Sequence, residues 1–260
     1  MSGSQALKDR VILVTGAGVG LGRAASMAFA AAGAHVVLHG RDEKKLVRVY
    51  DDIVAAGWPE PAFLTLDFAT AGDPDFDALV YAISNEFGRL DGLLHSASHL
   101  ETLSPLEQQT SAQWERTLRI NLVAAFALTR ACLPLLKKAR DAAIIMTSET
   151  HGHTPQAYWG AYAVAKAALE TLVKIWAQEL EHFEQLRINA IVPGPVDTPL
   201  RARTHPGEFK QALPASTSLM PDYIYWMSEA SRGQSGRVIE LAAASKMPPA
   251  DSAGGEKTKT

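Results

Sequence analysis

Tyr162 and Lys166 form the one Tyr-x-x-x-Lys pattern in the sequence. Residues four positions apart lie on the same face of a helix, one turn from each other. A free phenol, with a pKa of about 10, is a poor acid or base at neutral pH. An ammonium about 4 Å away, at an effective dielectric constant of about 20, is worth about 4 kcal/mol, or roughly three pKa units. The pair therefore predicts a tyrosine with a pKa near neutrality, where general acid–base catalysis works best.

A glycine-rich turn lies far upstream of this pair and favours catalysis over an exposed Tyr and Lys on an amphipathic helix. The apolar run Val11–Val14 leads into Thr15-Gly-Ala-Gly-Val-Gly-Leu-Gly22, and helix-forming residues follow. At such a turn, backbone N–H groups and the helix dipole attract an anion. We expect Gly16 to make the tight turn, Gly20 to let the backbone approach a pyrophosphate, and Gly22 to allow close helix packing. A turn that merely tolerates glycine is the alternative.

Strands alternate with helices along the chain, which predicts crossover βαβ units and a parallel sheet. The strand candidates are continuous apolar runs, as expected of strands covered on both faces: 11–14, 34–38, 62–66, 92–95, 142–147 and 187–192. The helix candidates are 23–32, 43–56, 75–87, 111–138 and 159–182. The predicted fold is α/β, a Rossmann-type doubly wound parallel sheet in three α/β/α layers, with one domain at 1–244. We expect a substrate loop at 195–221 and a fraying C-terminal tail at 245–260.

Composition argues against several other classes of protein. The 260 residues are 47% hydrophobic and 20% charged, which is typical of a globular chain rather than a disordered or collagen-like one. A formal charge of -3, spread along the chain, predicts no nucleic-acid partner. No uncharged apolar run approaches the roughly 20 residues of a spanning helix, so we expect no membrane partner and a cytoplasmic location. Cys132, the one cysteine, lies in an apolar stretch and is expected to be buried.

The spacing Gly16-x-x-x-Gly20-x-Gly22 after Thr15, together with Tyr-x-x-x-Lys, resembles the short-chain dehydrogenase/reductase superfamily over roughly residues 9–240. Within it the chain is most similar to bacterial oxidoreductases of unsettled substrate. The resemblance implies hydride transfer between a nicotinamide cofactor and a small-molecule carbonyl or secondary alcohol. A dinucleotide-sensing binding protein with vestigial catalysis is the rival interpretation.

The resemblance also implies a role for each of four residues. Tyr162 is the general acid/base, and Lys166 lowers the tyrosine pKa and holds the ribose. Ser148 orients the substrate carbonyl, and the backbone of Asn121 holds a water in a proton relay. The family spaces its serine 13 residues before the tyrosine, whereas Ser148 lies 14 before Tyr162, which we interpret as one extra residue in the loop 149–157. Thr147 is the fallback, on the opposite face if the strand continues.

The residues that end the second strand choose between NAD and NADP, because an acid there repels a 2′-phosphate and an arginine accepts it. Gly40 stands in the place of the acid and Arg41 follows, so NADP(H) is favoured. NAD(H) is the alternative, since Asp42 comes next. The resemblance implies a cofactor site made of Gly16, Gly18, Gly20, Leu21, Gly22, Arg41, Asp67, Phe68, Ser96, Ala97, Tyr162, Lys166, Pro193 and Thr198.

Two further features complete the sequence-based expectations. His95-Ser-Ala-Ser98 stands where the family has Asn-Asn-Ala-Gly, and we expect activity to survive with altered cofactor affinity. His95, His99, His151 and His153 fall in loops at one edge of the sheet; their spacing matches no metal-ligand pattern, so we favour polar pocket lining over zinc and expect no metal. The resemblance implies a homo-oligomer, a dimer or tetramer, formed through the helices at 111–138 and 159–182.

Overall fold

Seven parallel strands form one sheet in the computed structural model, which describes residues 5–241. The strands are β1 (Val11–Thr15), β2 (His35–Gly40), β3 (Ala62–Thr65), β4 (Gly92–His95), β5 (Ala142–Thr147), β6 (Leu186–Val192) and β7 (Val238–Glu240). Their order is β3-β2-β1-β4-β5-β6-β7, so the chain proceeds outward from β1 to β3 and then returns to β4 and proceeds the other way. The predicted doubly wound α/β fold is confirmed, and its switch point lies between β1 and β4.

Helices cover both faces of this sheet. They are α1 (Gly20–Ala31), α2 (Glu43–Ala55), α3 (Asp73–Phe87), α4 (Ser111–Leu118), α5 (Ala124–Leu136), α6 (Gly160–Glu179), α7 (Pro199–Thr204) and α8 (Met220–Met227). Ile12 and Val14 of β1 pack with α1, α2 and α8, whereas Val11 and Leu13 pack with α3, α5 and α6. Because successive side chains of a strand point to opposite faces, a strand buried on both faces is apolar throughout. This explains the unbroken apolar runs in the sequence.

The helix predicted over 111–138 is divided in the structure. α4 ends at Leu118, a π-helical turn follows at Arg119–Val123, and α5 begins at Ala124. Such a turn inserts an extra residue into one helical repeat and occurs frequently at functional sites. The apolar pattern of the sequence carries no signal for it. The turn includes Asn121, the residue expected to hold a water through its backbone.

Three elements near the C-terminus, α7, α8 and β7, are not among the predicted helices and strands. β7 has three residues and pairs in parallel with β6, with Ala190 opposite Val238. A strand this short is stabilised by its neighbour in the sheet, which no local pattern encodes. The loop predicted at 195–221 contains α7 and two 3₁₀ turns, and the start of α8 lies at its end. The predicted tail at 245–260 and the end of the predicted domain at 244 lie outside the described residues.

The helical stretch Ser111–Leu136 is long and apolar enough, by length and composition, to cross a membrane, with a mean hydropathy of 1.4. Half of its apolar window is buried inside the protein. A mostly buried core helix passes the same test of composition, and this stretch packs with α3, α6 and the sheet. Cys132 is buried within it, as predicted, and burial raises the pKa of its thiol.

Candidate active site

A cleft with a volume of about 330 Å³ opens at the carboxyl ends of the strands. Open α/β sheets bind their ligands at this edge. The cleft is lined by most of the residues that the sequence and the resemblance assign to cofactor binding and catalysis: Gly16, Gly18, Gly20, Leu21, Arg41, Asp67, Phe68, Ser96, Ala97, Ser148, Tyr162, Lys166, Pro193 and Thr198. Gly22 and Asn121 lie behind this lining and support it.

The glycine turn packs its backbone against the segment that follows β4. Gly16 has a φ of +67°, and a Cβ there would lie 2.8 Å from the Ala97 Cα atom. The Thr15 hydroxyl oxygen accepts hydrogen bonds from the backbone N–H groups of Ser96, at 3.0 Å, and Ala97, at 3.1 Å. The two segments therefore form one continuous wall of the cleft, and a side chain at position 16 would separate them.

The first turn of α1 is open to the cleft. Its N-cap residue, Val19, provides no side-chain hydrogen bond, and Gly20 and Leu21 line the cleft. First-turn N–H groups without a cap, together with the helix dipole, attract an anion. A Cβ on Gly22 would collide with the Gly16 carbonyl oxygen. This glycine is therefore required by the turn itself, in addition to the helix packing expected from the sequence.

A basic corner lies where β2 ends. Arg41 is exposed and lines the cleft, and within residues 5–241 it has no ion-pair partner. Asp42, in contrast, is occupied: it caps α2 by accepting the Lys45 backbone N–H and binds the Lys45 ammonium at 3.1 Å. The Lys45 hydrogen bond lowers the pKa of the Asp42 carboxyl. Lys45 also lines the cleft. It was not predicted to do so, because it lies inside α2 rather than at the end of the strand.

Asp67 and Phe68 continue the same side of the cleft. The Asp67 carboxylate accepts the Ala69 backbone N–H at 2.9 Å, so it also stabilises the turn after β3. Phe68 is buried and stacks on the His39 ring, with ring centroids 4.5 Å apart. Burial lowers the His39 pKa to about 4. The imidazole is thus neutral at physiological pH, and Arg41 is left as the cationic side chain at the end of β2.

Tyr162 and Lys166 lie on one face of α6, as their spacing predicts, and both are 3% exposed. The Lys166 ammonium donates to the Thr147 carbonyl oxygen at 2.7 Å and lies 5.5 Å from the centroid of the Tyr162 ring. The hydroxyl in contact with the Tyr162 hydroxyl belongs to Ser98, at 3.2 Å. The phenol therefore faces a hydroxyl, and the cation lies beside its ring.

The electrostatics of this pair differ from the sequence expectation. Burial raises the pKa of Tyr162, and the Glu149 carboxylate raises it further, whereas the Ser98 hydrogen bond acts in the opposite direction. Burial lowers the Lys166 pKa to about 8, against the opposing effects of Glu149 and Glu170. The expectation of a Tyr162 pKa near neutrality is wrong for the protein by itself. It counted one nearby cation and left out the loss of water around a buried phenol.

The Ser148 hydroxyl, which the resemblance assigns to the substrate carbonyl, is bound to a carboxylate in the structure. It donates to the Glu170 carboxylate at 2.5 Å, and the residue is 2% exposed. Thr147 is buried too, and its hydroxyl lies close to that of Tyr223, on the opposite face of the sheet. The residue 13 positions before Tyr162 is Glu149, which lines the cleft and accepts the His151 backbone N–H at 2.7 Å.

Asn121 holds the segment after β4 through its side chain. Its amide nitrogen donates to the carbonyl oxygens of His99, at 2.7 Å, and Thr117, at 2.8 Å. Its amide oxygen accepts the His99 N–H at 3.0 Å and the Ser98 hydroxyl at 3.1 Å. These contacts fix the backbone next to Ser98. The backbone of Asn121 itself lies in the π-helical turn, where the hydrogen bonding differs from that of an α-helix. Binding of a water by this backbone stays a prediction.

The four loop histidines form no common site. His95 is buried against Thr129, at 2.9 Å, and burial lowers its pKa to about 3. His151 packs against the Trp159 ring, and His153 contacts Glu170. Of these four, His99 lines the cleft as predicted, whereas the predicted lining is wrong for His95, His151 and His153. His39, which was not among them, also lines the cleft. Within residues 5–241, no three His, Cys, Asp or Glu side chains are grouped so as to hold a metal ion.

The far end of the cleft combines a capped helix with an apolar wall. Thr198 caps α7 by accepting the Arg201 N–H at 3.1 Å, and Pro193 and Gly194 line the approach to it. Trp159 and Leu200 pack around Tyr162 in a small apolar cluster. Leu200 of the predicted substrate loop thus lies against the tyrosine, and the side chains that pack around the phenol ring in this cluster are apolar.

Comparison with known proteins agrees with this architecture. The family model described as short chain dehydrogenase matches residues 10–208. The uncharacterized oxidoreductase YciK of Escherichia coli K12 is 38% identical over 90% of this chain and 92% of its own. A Pseudomonas syringae structure assigned to the short chain dehydrogenases has a TM-score of 0.89 and 43% identity, covering 92% of this chain and 97% of its own. A Shigella flexneri structure of the same assignment, solved with NADP, has a TM-score of 0.88 and 37% identity, covering 91% and 99%.

Proposed function

The chain belongs to the short-chain dehydrogenase family of oxidoreductases, and on this premise we propose that it reduces a carbonyl compound with NADPH. The proposal depends above all on the buried Tyr162 phenol and the Lys166 ammonium near its ring. Both residues line the same cleft as the glycine turn. When bound, the nicotinamide supplies the hydride. The protein supplies the proton, the orientation of the carbonyl and a site from which bulk water is partly excluded.

The cleft fits a dinucleotide at its phosphates. The uncapped first turn of α1 offers N–H groups to a pyrophosphate, and the missing Cβ of Gly16 leaves room for the backbone of Ala97 beside it. Asp67, Phe68 and Thr198 line the cleft, and we propose that the first two face the adenine and Thr198 the opposite end of the cofactor. These residues are the ones we propose to hold the cofactor. Lys166 is proposed to hold the ribose hydroxyls through its ammonium.

Arg41 makes NADP(H) the proposed cofactor. Its guanidinium is exposed to the cleft, whereas the neighbouring carboxylate of Asp42 is bound to Lys45. A guanidinium can meet a phosphate with two charge-assisted hydrogen bonds. The related Shigella flexneri structure contains NADP, which supports the same choice.

The raised pKa of Tyr162 favours the reductive direction. A phenol that stays protonated at neutral pH is a proton donor, and a carbonyl oxygen that receives a hydride equivalent at its carbon needs a proton. The charge left on the Tyr162 oxygen is stabilised by the nearby Lys166 cation. With a pKa of about 8, Lys166 is mainly protonated at pH 7. The pair can therefore deliver a proton to a carbonyl oxygen at neutral pH.

Turnover of NADPH with a panel of ketones, quinones and aldehydes tests the proposal against the rival, a dinucleotide-sensing binding protein. We expect one carbonyl class to accelerate NADPH oxidation in the wild type. Tyr162→Phe should lower kcat by about 10² to 10⁴, the usual effect of losing a positioned general acid. Tyr81→Phe is the matched control, because Tyr81 is 67% exposed on α3, away from the cleft. NADPH binding without turnover for every compound would favour the sensor.

We also propose that the protein is a homo-oligomer, a dimer or tetramer, formed through the helices α4, α5 and α6. Phe126 on α5 is 41% exposed, and Val164 and Ile175 on α6 are each 47% exposed. Exposed apolar side chains on neighbouring helices are typical of subunit interfaces. Light scattering over a range of concentrations measures the mass, and Phe126→Asp should shift it toward the monomer.

A further inference from the structure

Ser98 lines the cleft beside the Tyr162 phenol. Its hydroxyl oxygen is 3.2 Å from the Tyr162 hydroxyl and 3.1 Å from the Asn121 amide oxygen. The residue is exposed and lines the cleft, whereas Tyr162 is buried beneath it. Ser98 therefore presents a hydroxyl to the cleft directly beside the proposed proton donor.

Ser148, the serine that the resemblance assigns to carbonyl orientation, has its proton engaged elsewhere. A serine hydroxyl has a single proton to donate. That of Ser148 goes to the Glu170 carboxylate at 2.5 Å, and both residues are buried. Hydrogen bonds to a carboxylate are about twice as strong as those between neutral groups. Donation to a substrate would require Ser148 to leave this buried acceptor.

The Ser98 hydroxyl can turn its proton toward a ligand without leaving the Asn121 amide oxygen unpaired. Two acceptors lie within reach of the Ser98 proton, the Asn121 amide oxygen and the Tyr162 hydroxyl oxygen, and the Asn121 oxygen also accepts the backbone N–H of His99 at 3.0 Å. When the Ser98 hydroxyl rotates toward a ligand, Asn121 therefore keeps a donor for that oxygen. The two hydrogen bonds donated by its amide nitrogen, to His99 and Thr117, also remain. The network thus holds Ser98 in position without requiring its proton.

We propose that Ser98 is a catalytic residue that donates a hydrogen bond to the substrate carbonyl oxygen, beside Tyr162. This inference rests on the carbonyl reduction proposed above. Two hydroxyl oxygens 3.2 Å apart can both donate to one carbonyl oxygen that lies about 2.8 Å from each, the ordinary O–H···O distance. A donor aimed at an oxygen that gains negative charge accelerates the reaction most in the transition state.

The step is balanced without consuming Ser98. A hydride from the reduced nicotinamide adds to the carbonyl carbon, and the π electron pair of the carbonyl moves to its oxygen. That oxygen takes the proton of Tyr162 and becomes the alcohol, and the phenolate is left beside Lys166. The Ser98 O–H bond stays intact throughout, because its hydrogen bond only stabilises the developing charge.

Ser98→Ala and Ser98→Gly test the assignment, with the carbonyl compound that the wild type reduces fastest as the probe. Both variants remove the hydroxyl. Using two different replacements guards against a folding defect in one of them, which thermal unfolding would reveal. We expect kcat to fall by about 10² to 10³, as for other single donors to a developing oxyanion. The Kd for NADPH, measured by fluorescence, should change by less than about threefold. Ser98→Thr, which keeps a hydroxyl, should recover most of kcat.

Ser148→Ala decides between the two serines. A larger fall of kcat in the Ser98 variants than in Ser148→Ala supports the proposal, and the reverse order overturns it. A kcat for Ser98→Ala within about threefold of the wild type also overturns it, since a lost donor costs far more. These results concern Ser98 alone when the wild type turns over NADPH and Tyr162→Phe lowers kcat by the expected factor of about 10² to 10⁴. If the wild type reduces no compound of the panel, the proposed function and this inference fail together.

Discussion

Arg41→Ala should weaken NADPH binding while leaving NADH binding nearly unchanged. The guanidinium is exposed at the end of β2, and the neighbouring Asp42 already binds Lys45, so Arg41 is the side chain most available to a 2′-phosphate. Two charge-assisted hydrogen bonds are worth about 1.5 to 3 kcal/mol each. Solvent screening at an exposed position reduces the sum to about 1.5 to 3 kcal/mol. Since about 1.4 kcal/mol is tenfold in affinity, we expect a loss of about 10- to 100-fold for NADPH.

Fluorescence titration of both cofactors measures this effect, and Lys44→Ala is the matched control. Lys44 is an exposed cation in the first turn of α2 that does not line the cleft, so its removal changes the net charge by the same amount as the removal of Arg41. The preference for NADPH should also decline as salt is added, because an exposed charge pair is screened. An unchanged NADPH Kd in Arg41→Ala, or an equal loss for NADH, would show that Arg41 does not bind the phosphate.

The structure supports two further predictions. Because the Glu149 carboxylate raises the pKa values of Tyr162 and Lys166, Glu149→Gln should move the alkaline fall of kcat for carbonyl reduction to lower pH; a pH–rate profile that is unchanged or moves upward contradicts this. Asp141 is buried and binds the buried Arg187 at 2.8 Å, so Asp141→Asn should reduce the free energy of unfolding by about 3 to 5 kcal/mol. Burial by itself would raise the Asp141 pKa, but the hydrogen bonds and charges of Arg187 and Arg10 outweigh it and lower the pKa. The stabilisation by Asp141 is therefore present at neutral pH and lost as the pH falls below the value for an unfolded aspartate. Urea unfolding at several pH values should show a smaller acid dependence in the variant.

The layers of the fold could be predicted from the sequence because their signals are local. Apolar runs such as Val11–Val14 and the glycine turn after them mark a strand and a strand-to-helix turn by residue type alone. β7 gives no comparable signal, since its three residues become a strand only through pairing with β6. The π-helical turn at Arg119–Val123 is invisible for a similar reason: its extra residue does not disturb the apolar pattern of the helix.

The sequence could predict which residues make up the candidate site, but not how their side chains are oriented or what their pKa values are. The pairing of Ser148 with Glu170, and of Ser98 with Tyr162, depends on where β5 ends and how α6 packs on it. Neither is visible in residue spacing. The pKa of Tyr162 depends on how completely the neighbouring elements exclude water from the phenol, a property of the folded chain. Charge at one position could be counted from the sequence, and burial could not.

Isotope transfer measures the central claim most directly. NADPH carrying deuterium at the reactive position of the nicotinamide is incubated with the preferred carbonyl compound, and mass spectrometry locates the label. We predict one deuterium on the carbinol carbon of the alcohol, formed by the wild type and about 10² to 10⁴ times more slowly by Tyr162→Phe. Oxidation of NADPH without a deuterated alcohol, or equal rates for the two proteins, would contradict hydride transfer with Tyr162 as the proton donor.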